Sequence, residues 1–485
     1  MYLGIDLGTS GIKLVLMDEQ GELVTSTQAN YEVSRPHPLW SEQNPQAWID
    51  GLDSAMHALA KQQDLSQIKA IGLAGQMHGA TLLDDSYTPL RPAILWNDGR
   101  CEAECKVLED KVHNSREITG NIAMPGFTAP KLLWVSQHEP DIFARIHKVL
   151  LPKDYLRYVI SGTCATDMSD AAGTLWLDLA KREWSHDMLA ASGLSLSHMP
   201  DLFEGADVCA HLLPEWANKW GLPNECPIVA GGGDNAAGAV GVGLISPGQS
   251  MLSLGTSGVY FVVTDGCKSN TENAVHSFCH ALPKQWHLMS VMLSAASCAD
   301  WFAREVANQD LGELFKQVES EPVDRERAPL FLPYLSGERT PHNNPNATGS
   351  FFGLTHQHST IDLFYAVLEG VSFALAEGID VVEQTGAISE QINLIGGGAP
   401  SAYWRQLLAD ICPHKMVFRA GGEVGPGMGA AILARIAIDT SHSTDEICKQ
   451  GKIISEHYPN IEWQDLYTLR REKFSALYRS CAHLM

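Results

Sequence analysis

Residues 4–16, GIDLGTSGIKLVL, join two apolar β-like runs through a Gly-Thr-Ser-Gly turn. Such a turn can cradle phosphate with backbone N–H groups and hydroxyls. It can equally be a tight hairpin of the kind glycine makes possible. It is not a P-loop, because the spaced glycines followed by Lys-Ser/Thr are missing. The pentapeptide LGTSG at 7–11 returns at 254–258, an offset of 254 − 7 = 247 residues in a chain of 485. Each copy follows a strand-like run (YLGID, SMLS), precedes a β-branched or aromatic one (IKLVL, VYFVV), and then meets a turn-like tract (DEQGE, TDGCK). Two halves opening on the same unit imply duplication, with two similar domains facing a cleft.

The copies differ at two positions. The offset carries Asp6 onto Ser253 and Lys13 onto Tyr260, so only the first half has a carboxylate before its turn and a cation after it. Strand alternation puts Leu3, Ile5 and Leu7 on one face and Asp6 on the other. That second face is either a solvent-exposed edge or a site. Between the hairpins the pattern is α/β. In PQAWIDGLDSAMHALAKQ, residues Trp48, Leu52, Met56 and Leu59 share a helical face, and DLSQIKAIGLAG enters a strand ending at glycine. The same rhythm recurs through IDLFYAVLEGVSFALAEGIDVVEQTG and INLIGGGAPSAYWRQLLADI, so each half is expected to combine a small mixed sheet with helices. The glycine-rich GVGLISPGQ sets the expected boundary, with one domain over 1–245 and the other over 246–485.

Length alone argues for more than one core. With 45% hydrophobic and 19% charged residues the chain reads as folded. A net charge of 34 − 57 = −23 without a basic block argues against nucleic acid or an anionic membrane as partner. Eleven scattered cysteines fit a reducing compartment better than a disulfide framework. Without a signal-like N-terminus or an apolar run of membrane length, the expected location is the cytoplasm.

Several motifs carry candidate chemistry. VAGGGDNAAGAVGVGL (229–244) contains a G-x-G-x-x-A turn at Gly231, Gly233 and Ala236, but Asp234 would repel a pyrophosphate there. Asp234 is instead a candidate general base, or an N-cap for the Ala-rich helix. Gly396, Gly397 and Gly398 would let a ligand approach the backbone. Gln76, Met77 and His78 follow a strand and can bind hydroxyls, and Trp96, Asn97, Asp98 and Arg100 share one turn that suits either a sugar or plain surface. The His276, Cys279, His280 cluster with His287 has no common zinc spacing, and no metal is assigned to it. The stretch GGEVGPGMGAAILARIA (421–437) reads as a loop entering a buried helix, without chemistry.

Together these motifs resemble the sugar-kinase family that includes glycerol kinase, with its duplicated actin/hexokinase-type, ribonuclease H-like ATPase fold. GIDLGTSGIK and SLGTSG look like its two phosphate hairpins, and GFTAPKLLWVSQH (126–138) and GSFFGLTHQHSTIDLFYAVLEG (349–370) like its signature stretches. GGGDNAAGAVG looks like the catalytic-aspartate segment, and LIGGGAPS like the adenosine turn. Glycerol-type members carry an Arg-Glu pair where Met77 and His78 stand and an aromatic residue where Gly126 stands. AGQMHGA, LWNDGR and FLPYLSGERTPHNNPNATG point instead to a ketose branch.

The resemblance implies transfer of the ATP γ-phosphoryl group to the 5-hydroxyl of D-xylulose. Asp234 would be the base, Asp6 would hold Mg2+ through water, and Gly8, Thr9, Ser10 and Lys13 would hold phosphates from one side. It also implies Gly255 and Thr256 on the other side, Gly397 and Gly398 along adenosine, and Met77, His78, Asp234 and Asn235 at the sugar. The expected partners are a small sugar and ATP, and a homodimer is compatible with the chain. A dehydrogenase and a non-catalytic ATP-binding module are the competing readings; the first lacks an acidic ribose ligand after its glycines, and the second has no need of Asp234.

Overall fold

The opening stretch folds as an antiparallel hairpin of β1 (Tyr2–Leu7) and β2 (Gly11–Met17), with Asp6 directly opposite Lys13. The computed structural model describes residues 1–321, 323–422 and 425–485. One face of the hairpin buries Leu3, Ile5, Leu7, Ile12 and Leu14 against α1 (Pro45–Ala60), which contributes Trp48, Leu52, Met56 and Leu59. Asn44 caps α1 by accepting from Gln46 N–H. The sheet is completed by β3 (Leu23–Asn30) and by β4 (Ala70–Gly75), buried along its length. Next come α2 (Thr128–His138) and α3 (Met168–Ala172), then β5 (Val208–His211), β6 (Pro227–Val229), β7 (Gly232–Gly233) and α4 (Asp234–Gly241).

The second half repeats the plan. β8 (Ser250–Leu254) and β9 (Gly258–Thr264) form its hairpin, followed by β10 (His276–Cys279), β11 (Trp286–Met292), α5 (Ala296–Trp301) and α6 (Thr360–Glu383). Then come β12 (Gln391–Ile395), α7 (Ala402–Ile411), β13 (Lys415–Arg419), α8 (Gly425–Ile438) and β14 (Ile453–His457). The first sheet runs β5-β6-β4-β1-β2-β3, with β7 also on β4, and the second runs β10-β11-β9-β8-β12-β13-β14. The series β3-β2-β1-β4-β6 and β11-β9-β8-β12-β13 match strand for strand and in every parallel or antiparallel pairing. The expected duplicated fold, two domains each with a mixed sheet flanked by helices, is the one that forms.

The hairpins are not superimposable by a constant offset. The first closes at Leu7–Ile12 and the second at Leu254–Gly258, one residue tighter. Val259, not Tyr260, therefore stands across from Ser253. Only the first half still carries an acid and a cation at this place.

The glycine-rich stretch before α8, in which Glu423 and Val424 lie outside the described residues, leads a second-half helix onto the first sheet. A Cβ at Gly4 would lie 1.8 Å from Gly427 O, and one at Gly72 would lie 1.9 Å from Ala430 O. One at Gly429 would lie 1.7 Å from Ala237 O in α4. These glycines let backbone meet backbone where the halves join. Among the described residues no helix is long and apolar enough to cross a membrane.

Candidate active site

Where β4 ends, the chain turns through Gln76, Met77 and His78 into a cavity of about 250 Å3 between the two halves. Met77, His78, Trp96, Phe127, Asp234 and Asn235 line it from the first half. Ser257, Val259, His276, Phe278, Val291 and Arg339 line it from the second. His78 sits at φ 67°, a left-handed conformation costly for a branched ring and common where function fixes the backbone. Its Nδ1 donates to Gly173 O at 2.6 Å, which leaves Nε2 as an acceptor. Burial pushes the imidazole down to about 3, so it stays neutral. Its carbonyl accepts from Thr128 Oγ1 and Lys131 Nζ, each at 3.0 Å, and the fully buried Lys131 ammonium also donates to Gly126 O. Burial lowers that ammonium to about 8.

Asp234 is the first residue of α4, and Gly233 takes the N-cap position without a side chain to cap with. The Asp234 Oδ1 accepts from Asn235 N at 2.7 Å and Asn235 Nδ2 at 2.9 Å, while no described hydrogen bond engages Oδ2. Burial raises the carboxyl to about 6 against the pull of the Asn235 bonds. The turn is held from behind: Gly233 N donates to Ser169 Oγ at 3.0 Å, and Ser169 belongs to α3, which leads directly to Gly173 beneath His78. The candidate base and the candidate hydroxyl acceptor thus rest on one short segment.

Asp6 stands beside this turn. The register sets Asp6, Ala74 and Gly232 in one row across β1, β4 and β7. Strand spacing of about 4.8 Å puts the Asp6 and Gly232 Cα atoms roughly 10 Å apart. Asp234 follows two residues later. Burial raises the Asp6 carboxyl to about 7, the Asp234 charge adds to this, and Lys13 opposes it. Among the described residues no ion pair joins Asp6 to Lys13, although they face each other across the hairpin.

The first turn is tied to the cavity. Trp96 Nε1 donates to Thr9 Oγ1 at 2.9 Å, and Thr9 Oγ1 donates to Gln76 Oε1 at 3.2 Å. Gln43 and Tyr31 hold the Thr9 and Gly8 carbonyls at 2.6 and 2.7 Å. Gly8, Ser10 and Lys13 line neither described cavity; Ser10 is exposed and the other two half-buried.

A second cavity, of about 750 Å3, lies wholly in the second half and gathers Gly255, Thr256, Gly397 and Gly398. The hairpin turn is anchored on α5, whose Ala296 N–H bonds the Gly255 carbonyl at 2.9 Å and whose Ser297 hydroxyl bonds the Thr256 carbonyl at 2.7 Å. The three glycines after β12 have different reasons to be glycine. Gly396 has φ 91° and touches the Leu254 backbone, Gly398 packs on Leu254 and Trp404, and Gly397 alone has nothing within 4 Å of where a Cβ would be. Gly397 is the glycine that leaves room for a ligand.

The two halves built on one plan match known proteins along the whole chain. The N-terminal domain of the FGGY family of carbohydrate kinases matches residues 1–241, and its C-terminal domain matches 250–438. The chain belongs to the FGGY family of carbohydrate kinases. It is 58% identical to the xylulose kinase of Escherichia coli K12 over 486 aligned residues, covering all of both chains. The solved xyloylose kinase of Brucella ovis is 43% identical with a TM-score of 0.95, again over both chains in full. A gluconate kinase from Lactobacillus acidophilus has a TM-score of 0.93 at 26% identity, covering 99% of this chain and 98% of the other.

In this FGGY kinase several cavity residues had no role in the sequence reading. Of the LWNDGR turn only Trp96 lines the sugar-sized cavity; Asp98 accepts from Ser41 N at 2.6 Å and pairs with Arg100, which stacks on Trp40. His276 and Phe278 reach the cavity from alternate positions of β10. Among the described residues no group of three or more His, Cys, Asp or Glu could hold a metal ion. Lys131 and Arg339 lie inside stretches whose resemblance was legible, but the contacts that make them informative are long-range.

Proposed function

We propose that the protein transfers the γ-phosphoryl group of ATP to the 5-hydroxyl of D-xylulose, giving D-xylulose 5-phosphate and ADP, in the cytoplasm. The observation that carries this is the Asp234 carboxylate lining the cavity between the halves, in a chain matching a xylulose kinase end to end at 58% identity. With its carboxyl raised only to about 6, Asp234 is ionised at neutral pH yet basic enough to take a proton from an attacking hydroxyl. His78 Nε2 and Asn235 accept and donate to sugar hydroxyls, and Met77 packs along the carbon chain. Gly255 and Thr256 hold the nucleotide's phosphates from the second domain, next to the transferred group, Gly8, Thr9, Ser10 and Lys13 hold them from the first, and Gly397 and Gly398 border adenosine. We divide the two domains near residue 245.

Asp6 suits a divalent cation: it is a hard oxygen donor, half-buried, raised by desolvation, and without an ion-pair partner among the described residues. Bound Mg2+ supplies charge neutralisation on the phosphates, and Asp6 holds it, directly or through water.

A coupled ADP-release assay across D-xylulose, D-ribulose, glycerol, L-fuculose and gluconate tests the reading. The expected result is the highest kcat/KM on D-xylulose. A preference for gluconate would favour the activity of the 26% identical neighbour instead.

A further inference from the structure

The sugar-sized cavity holds a positive charge that forms no ion pair among the described residues. Arg339 follows Glu338 in a second-half loop and lines the cavity beside Val291, His276 and Phe278. Its guanidinium carries five N–H donors in a fixed fork. The single described side-chain bond it makes is from Nη1 to His276 Nε2 at 3.5 Å, a weak one. Among the described residues no carboxylate forms an ion pair with it, in a chain whose net charge is −23. The adjacent acid does not serve: Glu338 Oε1 accepts from Arg339 N at 2.7 Å and Leu293 N at 3.0 Å, holding the loop's backbone instead. Burial raises the Glu338 carboxyl to about 8, so it is mostly neutral at pH 7 and leaves the guanidinium uncompensated.

Among the described residues the other guanidinium donors have no protein partner and are not sealed off, so they are open to the cavity, where a ligand can supply acceptors. Burial holds the His78 and His276 imidazoles neutral, and the Arg339 charge adds to the lowering of both, His78 across the cavity in the first half and His276 beside it. The loop is fixed against the sheet: Thr340 N donates to Val291 O at 3.0 Å and Thr340 Oγ1 to Ala274 O at 2.9 Å. The guanidinium is therefore presented from a rigid base.

We propose that Arg339 is a sugar-recognising residue: its guanidinium donates to the carbonyl and hydroxyl oxygens of the ketose, closing the cavity from the second domain over a substrate otherwise held by the first. This rests on the phosphotransfer reading above and adds a specificity-determining contact to it. It also gives the sugar a direct hold on both halves.

The test compares Arg339→Met, Arg339→Lys and Arg339→Gln with the unaltered protein, using whichever polyol of the panel the unaltered protein turns over best. Failure on D-xylulose with activity on another polyol therefore counts against the substrate assignment alone. Arg339→Met is expected to raise the sugar KM about ten-fold or more while the affinity for Mg-ADP in the absence of sugar stays within about two-fold. Arg339→Lys and Arg339→Gln, which retain donors, are expected to fall between. Calorimetric titration with Mg-ADP should give the unaltered affinity in all three. A sugar KM that stays within about two-fold in Arg339→Met overturns the proposal, whatever happens to kcat. So does a failure of all three variants to fold, because a residue kept for its ligand is not needed to build the domain.

Discussion

At Asp234 the relevant quantity is how much of the carboxyl is ionised. Burial raises the carboxyl, the two Asn235 hydrogen bonds oppose that rise, and the balance stands at about 6. Below that value the group carries its proton and cannot accept another, so kcat/KM for the sugar should fall on the acid side with a midpoint near 6. A rate profile over roughly pH 5–8 measures this. Asp234→Asn should remove nearly all phosphorylation while Mg-ADP titrates with the affinity of the unaltered protein, because the phosphate turns are untouched; near-normal turnover would remove Asp234 from the base role. Asp6→Asn replaces an anionic oxygen by a neutral one, and the Mg2+ concentration for half-maximal rate should rise about ten-fold. An unaltered metal requirement would mean that Asp6 does something else. Asp6 was conspicuous in the sequence because an acid interrupts an apolar strand and its repeat has Ser253 there. Lys131 and Arg339 were not conspicuous, since Lys131 takes its meaning from the His78 carbonyl and Arg339 from a cavity wall, each more than forty residues away in the chain.

Among the elements, the glycine-rich segments divide into those that serve packing and the one that serves a ligand. Gly429 in α8 faces Ala237 O of α4 with no room for a methyl group. Gly429→Ala must push apart the two helices that join the halves, one of which begins with Asp234. Overpacking of this kind costs about 1–3 kcal/mol. The variant should melt at least about 3 °C lower and lose kcat together with stability. Gly397→Ala meets open space, so its melting temperature should match the unaltered protein while its KM for ATP rises several-fold. Equal melting temperatures for the two variants would contradict this division. The sequence separates the two kinds, since 421–437 reads as a loop entering a buried helix and 396–398 as an approach for a ligand, but GGG reads as three equivalent positions until φ at Gly396 separates them. Hydrophobic spacing had no such difficulty with α1, where Trp48, Leu52, Met56 and Leu59 bury one face as their period requires.

For the whole molecule, the repeated LGTSG was enough to reveal two domains, because a strand–turn–strand unit is local and survives as text. The shared wall of the sugar-sized cavity was invisible in the same text: it is built where β9, β10 and β11 meet the end of β4, and strand neighbours are set by pairing across long loops. That wall has a consequence for binding. One turn spans both cavities, with Gly255 and Thr256 on the larger one and Ser257 on the smaller. With the roles proposed above, a sugar that drew Val291, Arg339 and Ser257 toward Asp234 would also bring the nucleotide's half of the site into register with Gly8–Lys13. Sugar and Mg-ADP should therefore tighten each other, by a factor of about five or more in each direction, since coupling between two equilibria is reciprocal. Calorimetric titration of Mg-ADP with and without saturating D-xylulose, and the reverse, measures both arms. Arg339→Met, which cuts the second domain's cationic hold on the sugar, should bring the factor toward one. Full coupling in that variant would mean that closure is driven by the hairpin turn alone, and independent binding in the unaltered protein would mean that the halves do not close on the sugar at all.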